Sequence, residues 1–236
     1  MQFGQNLRSR VEDNPNFEDD SSRRAFISKV CCILAFQLAI TAGITCIFVF
    51  MESANLWLRE HIWITFIAIG IFMILSMVLM CYIQVARKVP INYILLILCT
   101  VSMSIMVSAS CLAYDPMQIL SAVGITAAVC IALALFAAFA PWDFTGCGPF
   151  LCILMLVLVL LGVVSIFVQS RILLWIIVCV GLLLFSMYLV YDVQMMVGGH
   201  KNQYSEEDYI VAALCIYIDV VQIFLYILML LGLLEE

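Results

Sequence analysis

The stretch ALCIYIDVVQIFLYILML, residues 213–230, decides the fold class of this chain. It is continuously apolar over nearly the length that an α-helix needs to cross the hydrocarbon core of a bilayer, about 20 residues. One acid, Asp219, interrupts it. An ionised side chain at membrane depth costs on the order of 3 kcal/mol by the lower estimates. A chain tolerates that cost where the group faces a protein interior or a water-filled path, finds partners, or carries a proton.

A second acid lies in the preceding apolar stretch. FSMYLVYDVQMMV, residues 185–197, carries Asp192 six residues before Gly198. Acids inside membrane segments are the first functional hypothesis in such a protein. Asp192 and Asp219 are therefore the leading candidate site residues.

The composition of the whole chain agrees with a membrane protein. Of its 236 residues, 66% are hydrophobic and 11% are charged, whereas soluble domains are about 25% charged. The apolar segments are continuous, which favours helices over the alternating strands of a membrane β-barrel. The predicted class is an all-α polytopic membrane protein surrounded by a lipid bilayer. The net charge of −6 comes with no basic stripe, so no nucleic-acid partner is predicted.

Seven apolar segments follow a polar start. Residues 1–24 are predicted to be a disordered cytosolic tail, and residues 25–236 a single seven-helix membrane domain. Pro90 ends the second segment, Gly198 ends the sixth, and Glu52 to His61 is read as a polar loop. The predicted segments run over residues 27–51, 62–86, 91–114, 117–140, 148–169, 172–197 and 208–232.

Lys and Arg are unevenly divided between alternate loops, and this division predicts the orientation. With the N-terminus in the cytosol, that side holds eight basic residues and the other side holds two, Arg59 and Arg171. A seven-helix receptor, whose N-terminus lies outside, is disfavoured by the same bias. The sequence leaves open whether the last segment spans fully or turns back. The eight residues are Arg8, Arg10, Arg23, Arg24, Lys29, Arg87, Lys88 and Lys201.

The two aspartates could act as a pair. Their segments are joined by a short loop, which predicts antiparallel neighbours. A carboxyl–carboxylate hydrogen bond between Asp192 and Asp219 would share one proton, and the pair would titrate as a unit. Loss of the proton would leave two repelling charges, which would separate the helices or recruit a cation such as Ca²⁺. The alternative is that each acid bonds separately to a Ser, a Tyr or the backbone and holds the bundle together.

A difference in depth stands against the pair. By helix rise, Asp192 lies about 9 Å from Gly198, and Asp219 lies about 21 Å from Ser205. The acids meet only if the seventh helix begins well outside the membrane, the sixth runs past Gly198, or one helix is broken.

Other polar and small residues in the segments suggest weaker hypotheses. Arg87, at the end of the second segment, could reach a carboxylate or could extend to the lipid headgroups. Ser104 and Ser108 share a face that could line a wet path or could bond their own helix backbone. The fourth segment repeats small residues every four positions and is predicted to be a central, closely packed helix. Those positions are Gly124, Ala128 and Ala132.

Catalytic motifs do not occur in the chain. It has no Walker loop and no GxSxG, HExxH or GxGD pattern, so neither an enzyme nor a cofactor is predicted. Ten of the eleven cysteines lie in apolar segments, which is typical of small apolar fillers rather than of a disulfide framework.

Three stretches resemble the lifeguard branch of the transmembrane Bax inhibitor motif-containing family. They are RRAFISKVCCILAFQLAIT at 23–41, WDFTGCGPFL at 142–151, and YDVQMMVGGHKNQYSEEDYIVAALCIYIDVVQIFLYILMLLG at 191–232. ARKVPINYILL at 86–96 also fits, and the likeness covers the whole membrane region.

The resemblance implies a seven-helix bundle with a cytosolic N-terminus and a pH-sensitive Ca²⁺ leak in an intracellular membrane, the endoplasmic reticulum or Golgi. It implies a di-aspartyl latch on the last two helices, here Asp192 and Asp219, with Arg87 the nearest match for a basic latch partner. Ca²⁺ and protons would act at the pair, and apoptosis-regulating membrane proteins would be partners. The alternative is a non-conducting interaction protein that inhibits cell-death signalling through protein partners.

Overall fold

The computed structural model of the chain describes residues 20–198 and 202–235. Within these residues the secondary structure consists of nine α-helices and one 3₁₀ turn, without a β-strand, which confirms the predicted all-α class. The 3₁₀ turn, Thr145–Cys147, precedes α7. The helices are α1 (Asp20–Phe50), α2 (Glu52–Glu60), α3 (Trp63–Cys81), α4 (Ile83–Ala86), α5 (Ile91–Cys111), α6 (Pro116–Phe139), α7 (Gly148–Val168), α8 (Arg171–Val197) and α9 (Tyr209–Glu235).

Seven of the described helices, α1, α3 and α5 to α9, are long and apolar enough to cross a membrane, which confirms the predicted bundle. The end at which α1 begins is called the N-terminal end below. There, Arg23 of α1 bonds Gln203, just before α9. At the opposite end, Gln118 of α6 bonds Glu235, the last residue of α9. The last apolar segment, α9, therefore runs unbroken from one end of the bundle to the other and does not turn back.

The first helix begins earlier than its apolar segment. α1 starts at Asp20, so the last five residues of the predicted tail are helical. The rest of the predicted tail, residues 1–19, lies outside the described residues.

The polar loop predicted between the first two segments is wrong, because residues Glu52–Glu60 form α2. One side of this helix buries Leu58 completely. On the polar side, Arg59 Nε donates to Asn55 Oδ1 one turn earlier at 2.8 Å. Arg59 also bonds the carbonyl of Leu112, at the end of α5. A polar composition hid an amphipathic helix that packs on the opposite end of the bundle.

The predicted central helix is also wrong. α9 packs against α8, α1, α6 and α5, and α5 packs against α1 and α3. α6 buries few residues, and a Cβ added at Gly124 would meet nothing within 4 Å. Ala128 and Ala132 are exposed as well. A stripe of small residues has the same spacing whether it faces a helix or lipid, so the sequence could not distinguish the two.

Candidate functional site

One aromatic contact determines how α8 and α9 align. Gly181 of α8 lies under the Tyr226 ring of α9, where a Cβ would overlap the ring. Phe185, one turn further along α8, stacks on the same ring with centroids 5.8 Å apart. Asp192 follows Phe185 by seven residues, and Asp219 precedes Tyr226 by seven. Seven residues make nearly two helical turns, so in an antiparallel pair the same contact recurs at the two aspartates.

This alignment resolves the difference in depth. α8 ends at Val197, next to Gly198, which has a positive φ of 74° and ends the helix as predicted. Continuing the same alignment puts Val197 opposite a residue near Leu214. The first turn of α9, which begins at Tyr209, then lies beyond the end of α8. Of the three arrangements that could bring the acids together, the structure has the one in which the last helix begins beyond the end of the sixth apolar segment.

Asp192 and Asp219 form a buried pair. Asp192 is 5% exposed and Asp219 is 3% exposed, and their carboxyl groups lie close enough to each other to interact directly. Two ionised carboxylates are acceptors only, so a bond between them requires a proton on one of the two. Asp219 Oδ2 is buried without a hydrogen-bond partner. The structure therefore brings the two predicted acids together, and the proton that they would share stays a prediction.

Asp192 also has a partner outside the pair. The hydroxyl of Tyr204 donates to Asp192 Oδ1 at 3.0 Å, and the Tyr204 amide donates to the Met195 carbonyl at 3.1 Å. Burial, followed by the nearby Cys215 and Asp192, raises the pKa of Tyr204 well above its ordinary value. Tyr204 therefore keeps its proton and remains a donor at neutral pH. The sequence missed this residue, because one Tyr in a polar loop gives no sign of which side chain it will reach.

The remaining surroundings of the pair are apolar or weakly polar. Its neighbours come from several helices: Tyr188 and Tyr191 of α8, Cys130 of α6 and Cys215 of α9. Over residues 20–198 and 202–235, no cluster of three or more His, Cys, Asp and Glu side chains could hold a metal ion. Ca²⁺ takes six to eight oxygen ligands. Two carboxyl groups alone do not supply such a set, so Ca²⁺ binding at the pair stays a prediction.

The structure does not bring Arg87 to the aspartates. Its Nε and Nη1 atoms lie 2.9 Å from Asp208 Oδ1 and Glu207 Oε2, and its Nη2 donates to Ser205 Oγ at 2.9 Å. Burial alone would raise the pKa of Asp208, but the bonds from Arg87 and Ser205 outweigh it and lower that pKa below its usual range. The second segment breaks at Tyr82 and continues as the short α4. Arg87 follows α4 directly, so it lies at the rim of the bundle beside the start of α9.

The serines of α5 belong to a buried hydroxyl cluster. Ser104 and Ser108 donate to carbonyls of their own helix, at 2.6 and 2.7 Å, as one of the two interpretations predicted. Ser104 also reaches Thr41 of α1 at 3.1 Å, and Thr41 bonds the Tyr217 hydroxyl of α9 at 2.7 Å. Gln37 of α1 donates to Thr100 Oγ1 at 3.1 Å. The cluster joins three helices, and interhelical bonds of this kind stabilise membrane bundles.

The eleven cysteines are all free thiols, as predicted. They are spread over helices that face lipid and helices that face the interior, and none is paired.

Known proteins resemble this chain over nearly its whole length. A family model described as "Inhibitor of apoptosis-promoting Bax1" matches residues 23–236. Protein lifeguard 3 of Homo sapiens is 34% identical over 220 residues, which cover 92% of this chain and 71% of that protein. Protein lifeguard 3 of Mus musculus is 33% identical over the same shares. Bax inhibitor 1 of Schizosaccharomyces pombe is 32% identical over 217 residues, 92% of this chain and 79% of that protein.

Proposed function

The chain belongs to the Bax inhibitor and lifeguard family of membrane proteins, and on that premise we propose that it is a Ca²⁺ leak pathway gated by the Asp192–Asp219 pair. The observation that carries the proposal is the buried, closely spaced pair of acids on two packed helices. A lowered store Ca²⁺ would be its route to modulating apoptosis. The organelle we propose is the endoplasmic reticulum or the Golgi.

The proposed orientation has the N-terminus in the cytosol. Basic side chains gather at the N-terminal end of the bundle, among them Arg23, Arg87 and Lys88, whereas Arg59 and Arg171 lie at the opposite end. Positive charge is retained on the cytosolic side during insertion. Ca²⁺ would then pass from the lumen at the opposite end to the cytosol at the N-terminal end.

The gate follows from the proton that the pair shares. While Asp192 and Asp219 share a proton, their hydrogen bond would tie the last turns of α8 to α9. When that proton leaves, two like charges face each other in a site of low dielectric, where their repulsion is strong. The helices then separate, and the carboxylates attract the passing cation. The leak is therefore expected to increase as pH rises through the titration of the pair and to decrease as pH falls.

Flux into liposomes tests this function. The purified protein is reconstituted with a Ca²⁺-sensitive dye inside, and Ca²⁺ influx is measured between pH 6 and 8. Asp219→Asn keeps a similar shape but has no proton to lose, so flux is expected to be low and independent of pH. Glu60→Gln, which neutralises an exposed acid of α2 at the opposite end, is the matched control and should behave as the unchanged protein. The gate is contradicted if the original protein and Asp219→Asn give the same Ca²⁺ flux and if neither flux varies with pH.

The second candidate function is a non-conducting interaction protein that inhibits cell-death signalling through protein partners. The matching family, described as inhibitors of apoptosis-promoting Bax1, favours this function. Here the aspartates would be structural, and the tail at residues 1–22 would bind partners. This function gains support if cells remain protected by a protein carrying Asp192→Asn and Asp219→Asn but lose protection when residues 1–22 are deleted. That the chain is not an enzyme stays a prediction.

A further inference from the structure

The connection between α8 and α9 is anchored at several points. Residues 202–208, called the connecting loop below, lie between the end of α8 and the start of α9, at the N-terminal end of the bundle. Asn202 bonds the carbonyl of Thr145, before α7, at 2.8 Å. Gln203 accepts a bond from Arg23 of α1 at 3.3 Å. The loop therefore contacts α1 and the turn before α7 as well as the two helices that it joins.

Arg87 is the strongest of these anchors. Its three nitrogen atoms each contact a different residue of the loop, at 2.9 Å in every case: Ser205, Glu207 and Asp208. A guanidinium group presents its donors in a fixed planar fork, which an ammonium group cannot reproduce. Arg87 thus ties the segment after α3 to the residues that start α9.

The same loop reaches the aspartate pair. Tyr204 precedes Ser205 directly, and its hydroxyl bonds Asp192 and lies near the thiol of Cys215 of α9. The residues that Arg87 contacts therefore follow Tyr204, whose side chain covers the pair, by one to four positions in the chain. A displacement of the loop away from Arg87 would pull Tyr204 from the acids and open them toward the N-terminal end.

We infer that the connecting loop is the closure of the pathway at the N-terminal end, and that Arg87 is the positioning residue that holds this closure over the aspartate pair. The role of this closure in Ca²⁺ flux rests on the leak proposed above. The hold of Arg87 on the loop does not depend on that leak. This inference also explains why Arg87 lies at the rim of the bundle. Arg87 binds the loop that covers the aspartates and does not bind the aspartates themselves.

Amide hydrogen exchange in lipid nanodiscs measures the hold of Arg87 on the loop. In Arg87→Gln, the peptide that covers residues 202–208 is expected to exchange about fivefold faster, since three partly exposed charged contacts are lost. Lys88→Gln is the matched control, because it removes the same charge from the next residue, which is exposed and has none of these bonds. Equal rates in Arg87→Gln and the unchanged protein, or an equal increase in Lys88→Gln, would overturn the inference.

Labelling of Cys215 measures whether the loop closes the site. A water-soluble, charged thiol reagent is applied, and the modified cysteines are identified by mass spectrometry. Labelling of Cys215 is expected to increase about fivefold in Arg87→Gln and less in Glu207→Gln, which removes only the more exposed ion pair. The Glu207 variant also keeps the test valid if Arg87→Gln does not fold. If exchange in the loop increases and Cys215 labelling does not, the loop is no closure.

Salt separates an electrostatic hold from a general structural role. The ion pairs are partly exposed, with 36% of the Arg87 side chain accessible, so salt should screen them. Exchange of the loop should accelerate with ionic strength in the unchanged protein and stay constant in Arg87→Gln; equal salt dependence in both overturns the electrostatic hold. Ca²⁺ flux is measured on the same variants reconstituted in dye-filled liposomes. Faster exchange and labelling without any flux would count against the leak and leave the closure supported.

Discussion

Tyr204, which lies in a polar loop, donates a hydrogen bond to Asp192, which is buried between α8 and α9 near the end of α8. The two residues are only twelve positions apart, yet the chain between them leaves α8, turns and folds back so that the Tyr204 amide bonds the end of α8. The aspartate pair is consequently enclosed by three elements, two helices and the loop that joins them.

Removal of this hydroxyl should weaken the fold and move the gate. Tyr204→Phe leaves the Asp192 oxygen without its donor, and a buried acceptor that loses its partner costs about 1–3 kcal/mol. The ionised state of the pair also loses a stabilising bond, so the proton is held to higher pH. We expect a lower thermal unfolding temperature in detergent and a flux midpoint displaced to higher pH. A midpoint that stays in place would contradict the role of Tyr204.

The alignment of α8 and α9 should depend on the absence of a side chain at Gly181. In Gly181→Ala the new Cβ overlaps the Tyr226 ring, and overpacking of this kind costs about 1–3 kcal/mol. The ring would be displaced, so pH-dependent flux should be impaired along with thermal stability. Gly162→Ala in α7 is the matched control, because a Cβ there meets nothing within 4 Å. Shortening the partner as well, with Tyr226→Leu, should restore part of the lost stability.

The hydroxyl cluster should contribute measurable interhelical coupling. Thr41→Val and Tyr217→Phe each break the 2.7 Å bond between α1 and α9, and a double-mutant cycle isolates its energy. We expect a coupling of about 0.6 kcal/mol, the average for such bonds in a membrane protein. Thr65→Val is the control, since the Thr65 hydroxyl is buried without a partner and should lose nothing. A coupling of zero would mean that the cluster fills space without joining the helices.

Acid should release the connecting loop through Asp208. Because its bonds to Arg87 and Ser205 hold the pKa of Asp208 below its usual range, its stabilising effect is fully present above the ordinary Asp pKa, about 3.9. It is lost as pH falls through the lower folded value. Thermal stability should therefore fall more steeply between pH 5 and pH 3 in the unchanged protein than in Asp208→Asn. Parallel curves for the two proteins would show that Asp208 carries no such linkage.

Much of this fold could be predicted from local sequence, because bilayer thickness and the chemistry of helix ends act on consecutive residues. Long apolar runs predicted seven spans, and Gly198 predicted the end of α8, both of which the structure confirms. The same local logic failed at α2, where a polar composition concealed an amphipathic helix. It failed again at α6, whose small residues face outward.

Two acids were visible in the sequence as costly groups in apolar segments, but whether they met was not. Their contact depends on the fit of Gly181 under Tyr226, more than forty residues away along the chain, which aligns the two helices. The choice of Arg87 for the loop and the reach of Tyr204 to Asp192 are likewise consequences of packing. Local sequence determines where a helix lies and what it carries, since those depend on neighbours in the chain. Only the tertiary structure decides which side chains meet, because contact energies between distant segments select one alignment among many that the sequence pattern allows.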